Sequence, residues 1–203
     1  MSFAQKRKQH NEQQMAERRA YYGNCLKAEL CPKKFLSLII DGMDQSKTNL
    51  PRANCLSNDE TYHFLRTHVT GAISHGNGRV FSFIDLMRWP HDSNLTLNVL
   101  LRIFIEIAET AASPTYRECN NRYILGFCAL LVEKEIFKEV YLSFLMVGHT
   151  HEDVDQFFSR ISKRLRRIDS MTLQELLENI RQAHTLEAET QVLDFLFDIK
   201  KMD

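Results

Sequence analysis

Apolar residues fall along this chain in runs and stripes whose periods separate strands from helices. Phe35 to Ile40 is an apolar run broken only by Ser37, and it ends on Asp41-Gly42-Met43-Asp44. Such a run predicts a buried strand. Two β-rich runs, His68 to Ser74 and Arg79 to Asp85, flank His75-Gly76-Asn77-Gly78. Glycine and asparagine tolerate positive φ, so this pair reads as a hairpin. Together these segments predict three consecutive antiparallel strands. A fourth apolar run, Val140 to Val147, predicts another strand that stops at Gly148.

Elsewhere the period is helical. Residues 3–30 read as a helical arm with a loose apolar face of Phe3, Met15, Ala16, Tyr22 and Leu26. Pro32 ends it, because proline cannot continue the hydrogen-bond ladder. Asp92 or Ser93 caps a helix over 94–110 that carries Leu95, Val99, Leu100, Phe104 and Ile107 on one side. The next helix, over 122–137, is apolar around most of its circumference and is expected to be deeply buried. A helix over 151–166 turns Val154, Phe157, Phe158, Ile161 and Leu165 inward, and Thr150-x-x-Asp153 before it resembles a capping box. Thr172-Leu173-Gln174-Glu175 is a cleaner capping box for a helix over 173–187. A last short helix is expected around Val192, Leu193, Phe195, Leu196 and Phe197.

The order is that of the ribonuclease H-like fold. The expectation is an α/β domain: a mixed sheet of three antiparallel strands and a further strand, flanked by helices, with an N-terminal helical arm. The expected divisions are an arm at 1–32, the domain at 33–170 and C-terminal helices at 171–203. The fold normally has one more strand between the helices at 94–110 and 122–137, yet Glu109 to Arg117 contains no apolar run.

Composition narrows the classes. The 203 residues, 44% of them apolar, suit one domain with an accessory arm. Formal net charge is zero, so any nucleic-acid surface must be local. Five scattered cysteines without a CxxC pair favour a reducing compartment over a disulfide framework. No segment reaches the roughly 18 apolar residues of a membrane span, and the polar N-terminus is not a signal peptide. An intracellular location, nuclear or cytoplasmic, and no membrane partner are expected.

Candidate chemistry gathers after the apolar runs. Asp41 ends the first strand, and Glu152, Asp153 and Asp155 open the helix after the last. In a ribonuclease H-like sheet those places lie close together. Glu152 and Asp155 share a helical face while Asp153 points elsewhere and can cap. Asp41, Glu152 and Asp155 are therefore the candidate catalytic residues and Mg²⁺ ligands, since that hard cation prefers oxygen donors. Asp41 to Asp44 also reads as a plain turn. His149 and His151 invite a zinc reading, but two ligands are not a site, and such histidines more often bond a carboxylate or a loop carbonyl. A Cys–His nucleophile has no local support. Arg160, Lys163, Arg164 and Arg167 cluster on one side of their helix, either as a solvated face at a helix C-terminus or as phosphate contacts. Lys47, in the polar loop after Asp41, joins them as a nucleic-acid candidate. Lys6, Arg7, Lys8, Arg18 and Arg19 make the arm either a solvated helix or a nucleic-acid-binding one.

Four blocks carry a family resemblance: Phe35 to Pro51, His91 to Thr96, Tyr116 to Tyr123, and Gly148-His149-Thr150-His151-Glu152-Asp153-Val154-Asp155-Gln156. Along about residues 10–170 their order and spacing resemble a transposon-derived domain family of unknown function. The resemblance implies kinship with transposases that hold an acidic triad in a ribonuclease H-like fold. It implies an ancestral Mg²⁺-dependent cleavage or transfer of DNA strands, with DNA as partner. One departure falls at the site. Family members usually carry an apolar strand and an Asp-Asn pair before the block at Tyr116, where this chain has Ala111-Ala112-Ser113-Pro114. The second acidic position is then missing, and nothing in the sequence places Asp85 or Asp92 as a substitute, although Arg117 and Glu118 can still border the site. Family members are also usually longer at the N-terminus. The expectation is a nuclease-like domain without activity. The alternatives are a non-enzymatic nucleic-acid or protein binding module and a non-functional product of a mobile-element gene.

Overall fold

The computed structural model describes residues 2–53, 64–110, 122–141 and 153–198. Among them are five helices: α1 (Phe3–Leu30), α2 (Ser93–Thr110), α3 (Arg122–Glu133), α4 (Asp153–Leu165) and α5 (Leu173–Arg181). Four strands, β1 (Leu38–Gly42), β2 (His68–Ser74), β3 (Arg79–Asp85) and β4 (Glu189–Val192), form one mixed sheet in the order β1-β2-β3-β4. The chain is thus α/β, with three antiparallel strands and one parallel.

Chain contacts divide the molecule into two compact units. One comprises Met1–Leu38, His75–Asn77 and Ile105–His151. Within it α1 begins with a reciprocal capping box between Ser2 and Gln5, and Cys31 is its C-cap. Tyr21 on α1 bonds His75 at 3.0 Å, and the His75 N–H donates to the Ser37 carbonyl at 3.1 Å. Cys25 and Ala28 are the buried residues of this long helix, and Phe3, Met15, Tyr22 and Leu26 of its expected apolar face are exposed.

The other unit comprises Ile39–Ser74, Gly78–Phe104 and Glu152–Asp203, and it holds most of the sheet. The hairpin pairs His68 with Asp85 and Ser74 with Arg79. All but the first residue of β2 and of β3 are buried, as runs without polar alternation require. The amphipathic α4 packs on β2 and turns Val154, Phe157, Phe158, Ile161 and Leu165 into the core. They meet Val69, Ile73, Val80 and Ile84 from the hairpin and Leu176 and Ile180 from α5. Close approach requires a glycine in β2: a Cβ at Gly71 would lie 2.6 Å from the Phe158 ring. Arg52 and Ser170 exchange backbone hydrogen bonds of 2.7 Å, and Arg52 Nε donates to the Leu165 carbonyl at 3.2 Å, pinning the loop after β1 to the end of α4.

Several expected boundaries move. The capping box at Thr172 and Glu175 forms, but α5 ends at Arg181, short of the expected 187. The helix expected over 122–137 ends at Glu133, before Glu135 takes a positive φ of 56°. No last helix forms around 192–197. Instead β4 pairs in parallel with β3, Phe81 opposite Glu189 and Ile84 opposite Val192. The Arg79 guanidinium grips the Glu189 carboxylate through two bonds of 2.6 and 2.5 Å, and Asn98 and Arg102 of α2 donate to the carbonyls of Phe197 and Phe195. An open edge of β3 and these polar tethers outweigh the weak helical pattern of a short apolar segment. The strand expected over 140–147 falls largely outside the described residues, and Val140 and Tyr141 are not in a strand. The gap at 111–121 lies outside them entirely.

Gly71→Ala should lower stability by about 1–3 kcal/mol through overpacking. Phe158→Leu in the same chain should recover part of that loss. Equal denaturant midpoints for Gly71→Ala and the parent would mean that α4 does not sit on β2 in this way.

Candidate functional site

The antiparallel order brings three strand ends to one edge of the sheet: the end of β1 with Asp41 and Gly42, the start of β2 with His68, and the end of β3 with Asp85. The Met43 N–H donates to the Val69 carbonyl at 2.8 Å and holds the first two ends side by side. The contact is close. A Cβ on Gly42 would stand 2.9 Å from His68 Nε2, so a larger residue there would have to displace the ring.

Asp41 and Asp155 interact across this corner. Burial by surrounding protein raises the Asp41 pKa, the Gly42 N–H bonded to its carboxylate at 2.8 Å opposes that rise, and the negative charge of Asp155 adds to it. Asp155 Oδ2 is itself buried without a hydrogen-bond partner among the described residues. Carboxylates near enough to feel one another's charge, one with an oxygen to spare, are what a hard cation relieves. Yet among the described residues no three His, Cys, Asp or Glu side chains form a group that could hold a metal ion. The expected third ligand, Glu152, lies outside those residues, as do His149 and His151. Asp44 does something different. The Ser46 hydroxyl and N–H hold its carboxyl below the ordinary range, and it caps the 3₁₀ turn Gln45–Lys47.

A second set of groups adjoins the corner. Asp85, with 1% of its surface exposed, accepts a hydrogen bond from the Arg88 N–H and meets His91 Nε2 at 3.0 Å through its other oxygen. His91 Nδ1 lies 3.2 Å from the Gln45 amide nitrogen. The rings of His91 and His68 lie 4.2 Å apart, centroid to centroid. Burial drives the His68 pKa down to about 4; His91 pushes in the same direction and Asp85 against it. His68 is therefore a neutral imidazole at pH 7, with a buried Nδ1 that has no partner among the described residues. Such a group can accept a proton or a hydrogen bond.

Sequence reasoning singled out Asp41 and Asp155, left Asp85 unplaced, and passed over His68 and His91. Counting register back from the hairpin turn sets His68 opposite Asp85 and could have found that pair, but not His91, which lies in the loop beyond β3. The basic candidates separate. Lys47 pairs with Asp44 at 3.7 Å on the 3₁₀ turn, whereas Arg160, Lys163, Arg164 and Arg167 line a groove of about 330 Å³ with Ile168, Gln182 and Ala183. Among the described residues no helix is long and apolar enough to cross a membrane.

A family profile described as Domain of unknown function (DUF7869) matches residues 57–202, a span that begins after Asp41 and runs beyond the expected end of the resemblance near 170. No curated protein and no solved structure matches the chain.

Two measurements probe the corner. The folded state resists protonating His68, so its contribution to stability is present above the ordinary histidine pKa of 6.5 and is lost as pH falls from there toward about 4. His68→Gln should flatten that part of the stability–pH curve; an unchanged slope would remove the buried neutral imidazole from the account. Asp41 has the opposite sense. Its raised pKa means that the ionised form burdens the fold above that pKa and that the burden lifts as pH falls through it. Asp41→Asn should melt higher than the parent at pH 7, with the gap closing in acid.

Proposed function

From a chain that belongs to the DUF7869 family through residues 57–202, we propose a nuclease-like domain of ribonuclease H-like, transposase-derived ancestry that no longer cleaves nucleic acid. The observation that carries this reading is the charge interaction between Asp41 at the end of β1 and Asp155 at the start of α4, where Asp155 Oδ2 is buried and unpartnered among the described residues. A strand end facing a helix opening is where open α/β sheets place ligands. Asp41 and Asp155 would hold Mg²⁺. When bound, Mg²⁺ would stabilise charge on attacking and leaving oxygens of a phosphodiester.

The chain's own residues fix the corner. Gly42 admits His68, Asp85 orients His91, and the His91 ring covers that of His68. Neutral His68 could accept a hydrogen bond from a water beside the carboxylates without adding positive charge. Loss of activity follows from the count of acids. Ala111-Ala112-Ser113-Pro114 stands where the resemblance calls for an acidic position, and Asp85, the other acid at this edge, is taken by His91 and the Arg88 N–H. Removing an acidic ligand from a two-metal site costs several kcal/mol of transition-state stabilisation, or several orders of magnitude in rate. A non-enzymatic binding module is the second reading. It keeps the fold and needs no metal, and the groove beside α4 is the observation that favours it.

Thermal melts with and without millimolar Mg²⁺ decide between them. The parent should gain about 2–4 °C for each kcal/mol of binding, and Asp41→Asn and Asp155→Asn should each abolish the gain. No Mg²⁺ shift in the parent would eliminate the metal reading. Incubation with DNA and Mg²⁺ or Mn²⁺ should leave the strands intact. Cleavage that disappears in Asp41→Asn would overturn the assignment as inactive.

A further inference from the structure

We propose that the groove between the C-terminal half of α4 and the end of α5 is a binding site for the phosphodiester backbone of a nucleic acid. It is concave, about 330 Å³ in volume, and four of its seven lining residues are cations: Arg160, Lys163, Arg164 and Arg167. The inference shares with the proposed function only the expectation that the ligand is nucleic acid. It needs neither the metal corner nor catalysis.

The cations are arranged for an external anion rather than for one another's neighbours. Arg164 Nε donates to Asn179 Oδ1 at 3.1 Å, and its terminal nitrogen donates to Gln182 Oε1. Both acceptors are neutral amides, so the guanidinium is oriented without losing its charge. The amides are fixed in turn. Asn179 is buried and donates to Ser170 Oγ at 2.9 Å, and the Gln182 amide nitrogen bonds Glu178. Glu178, the nearby acid, is also taken by Arg181 at 2.9 Å. Among the described residues Arg160, Lys163 and Arg167 have no carboxylate partner. Compensation of the helix dipole would explain about half an elementary charge at the end of α4, far less than four cations around one hollow.

The walls suit a nucleotide. Ile168, 41% exposed, and Ala183 give the groove an apolar flank on which a sugar or a base face can lie. His184 packs edge-on against Phe157, and burial, with Arg160 second, lowers its pKa. It leaves the positive charge to the arginines. The total charge of the chain is zero, so this concentration is local and is offset elsewhere. A compact phosphate met by one oriented guanidinium, that of Arg164, and further cations around it is the ligand class that such a set discriminates best. An acidic peptide or an anionic membrane would read the charge but would not need the concave, oriented seat around Arg164.

The test is fluorescence anisotropy of the full chain with a short single-stranded DNA and its duplex across a salt series. Binding should weaken steeply with salt. Lys163→Glu with Arg167→Glu should cut affinity on the order of 10–100-fold near 0.1 M salt and reduce the log–log salt slope by about 2. If that pair does not fold, Lys163→Gln and Arg167→Gln, both at exposed positions, should each reduce the slope by about 1. Parent binding absent or insensitive to salt would overturn the proposal, as would unchanged affinity in the folded variants. So would tighter binding to phosphatidylserine vesicles than to DNA, which would make the groove a lipid-headgroup surface. Strand cleavage is read separately on the same oligonucleotide, so the groove and the metal corner can fail independently.

Discussion

The larger compact unit depends on one contact, the seating of the apolar stripe of α4 on β2. Phe157 and Phe158 reach the sheet because Gly71 has no side chain to meet them. Everything said of chemistry follows from that docking. With the inward stripe fixed, the acidic first turn of α4 is held at the sheet edge where β1 ends, and its basic last turns are held against α5. A single helix carries both charges of interest, and its rotation about its own axis decides what each can meet.

The sheet edge shows how a fold concentrates costly groups. Asp85 is buried and satisfied by His91 and by a backbone amide. His68 is half-buried with one nitrogen unsatisfied, and Asp155 has an unsatisfied oxygen. Buried polar atoms without partners cost about 1–3 kcal/mol each, and a fold selected for stability alone would have replaced them. They stand beside a carboxyl whose pKa is raised, at a strand end, where perturbed groups are candidates for a site.

Much of the architecture was legible before any coordinates. The hairpin register follows from a glycine-rich turn between two strands of equal length. The end of α1 follows from Pro32, and the start of α5 from the Thr172 and Glu175 box. Those signals are local and need no partner. The helix expected at the C-terminus does not form because Val192 to Phe197 is too short for its period to fix a conformation; of it only Val192 lies in β4, and Leu193 to Phe197 have no regular structure. Its fate was settled by the free edge of β3 and by Arg79, more than a hundred residues earlier in the chain. The histidine pair was missed for a related reason. His68 and His91 are separated by a whole strand pair and a loop, and sequence spacing carries no trace of a 4.2 Å ring contact.

By itself the sequence determined the α/β class, the antiparallel opening of the sheet, the inward face of α4, and Asp41 and Asp155 as the acids to watch. Periodicity and turn chemistry act over a few residues, and those features need nothing more. Only the tertiary structure decided that the fourth described strand comes from the end of the chain and that Asp85 and two histidines stand beside the acids. It also decided that Lys47 is tied to Asp44 while the α4 cations enclose a groove with α5. Those outcomes depend on which surfaces meet in three dimensions, and burial, desolvation and charge coupling exist only once they have met.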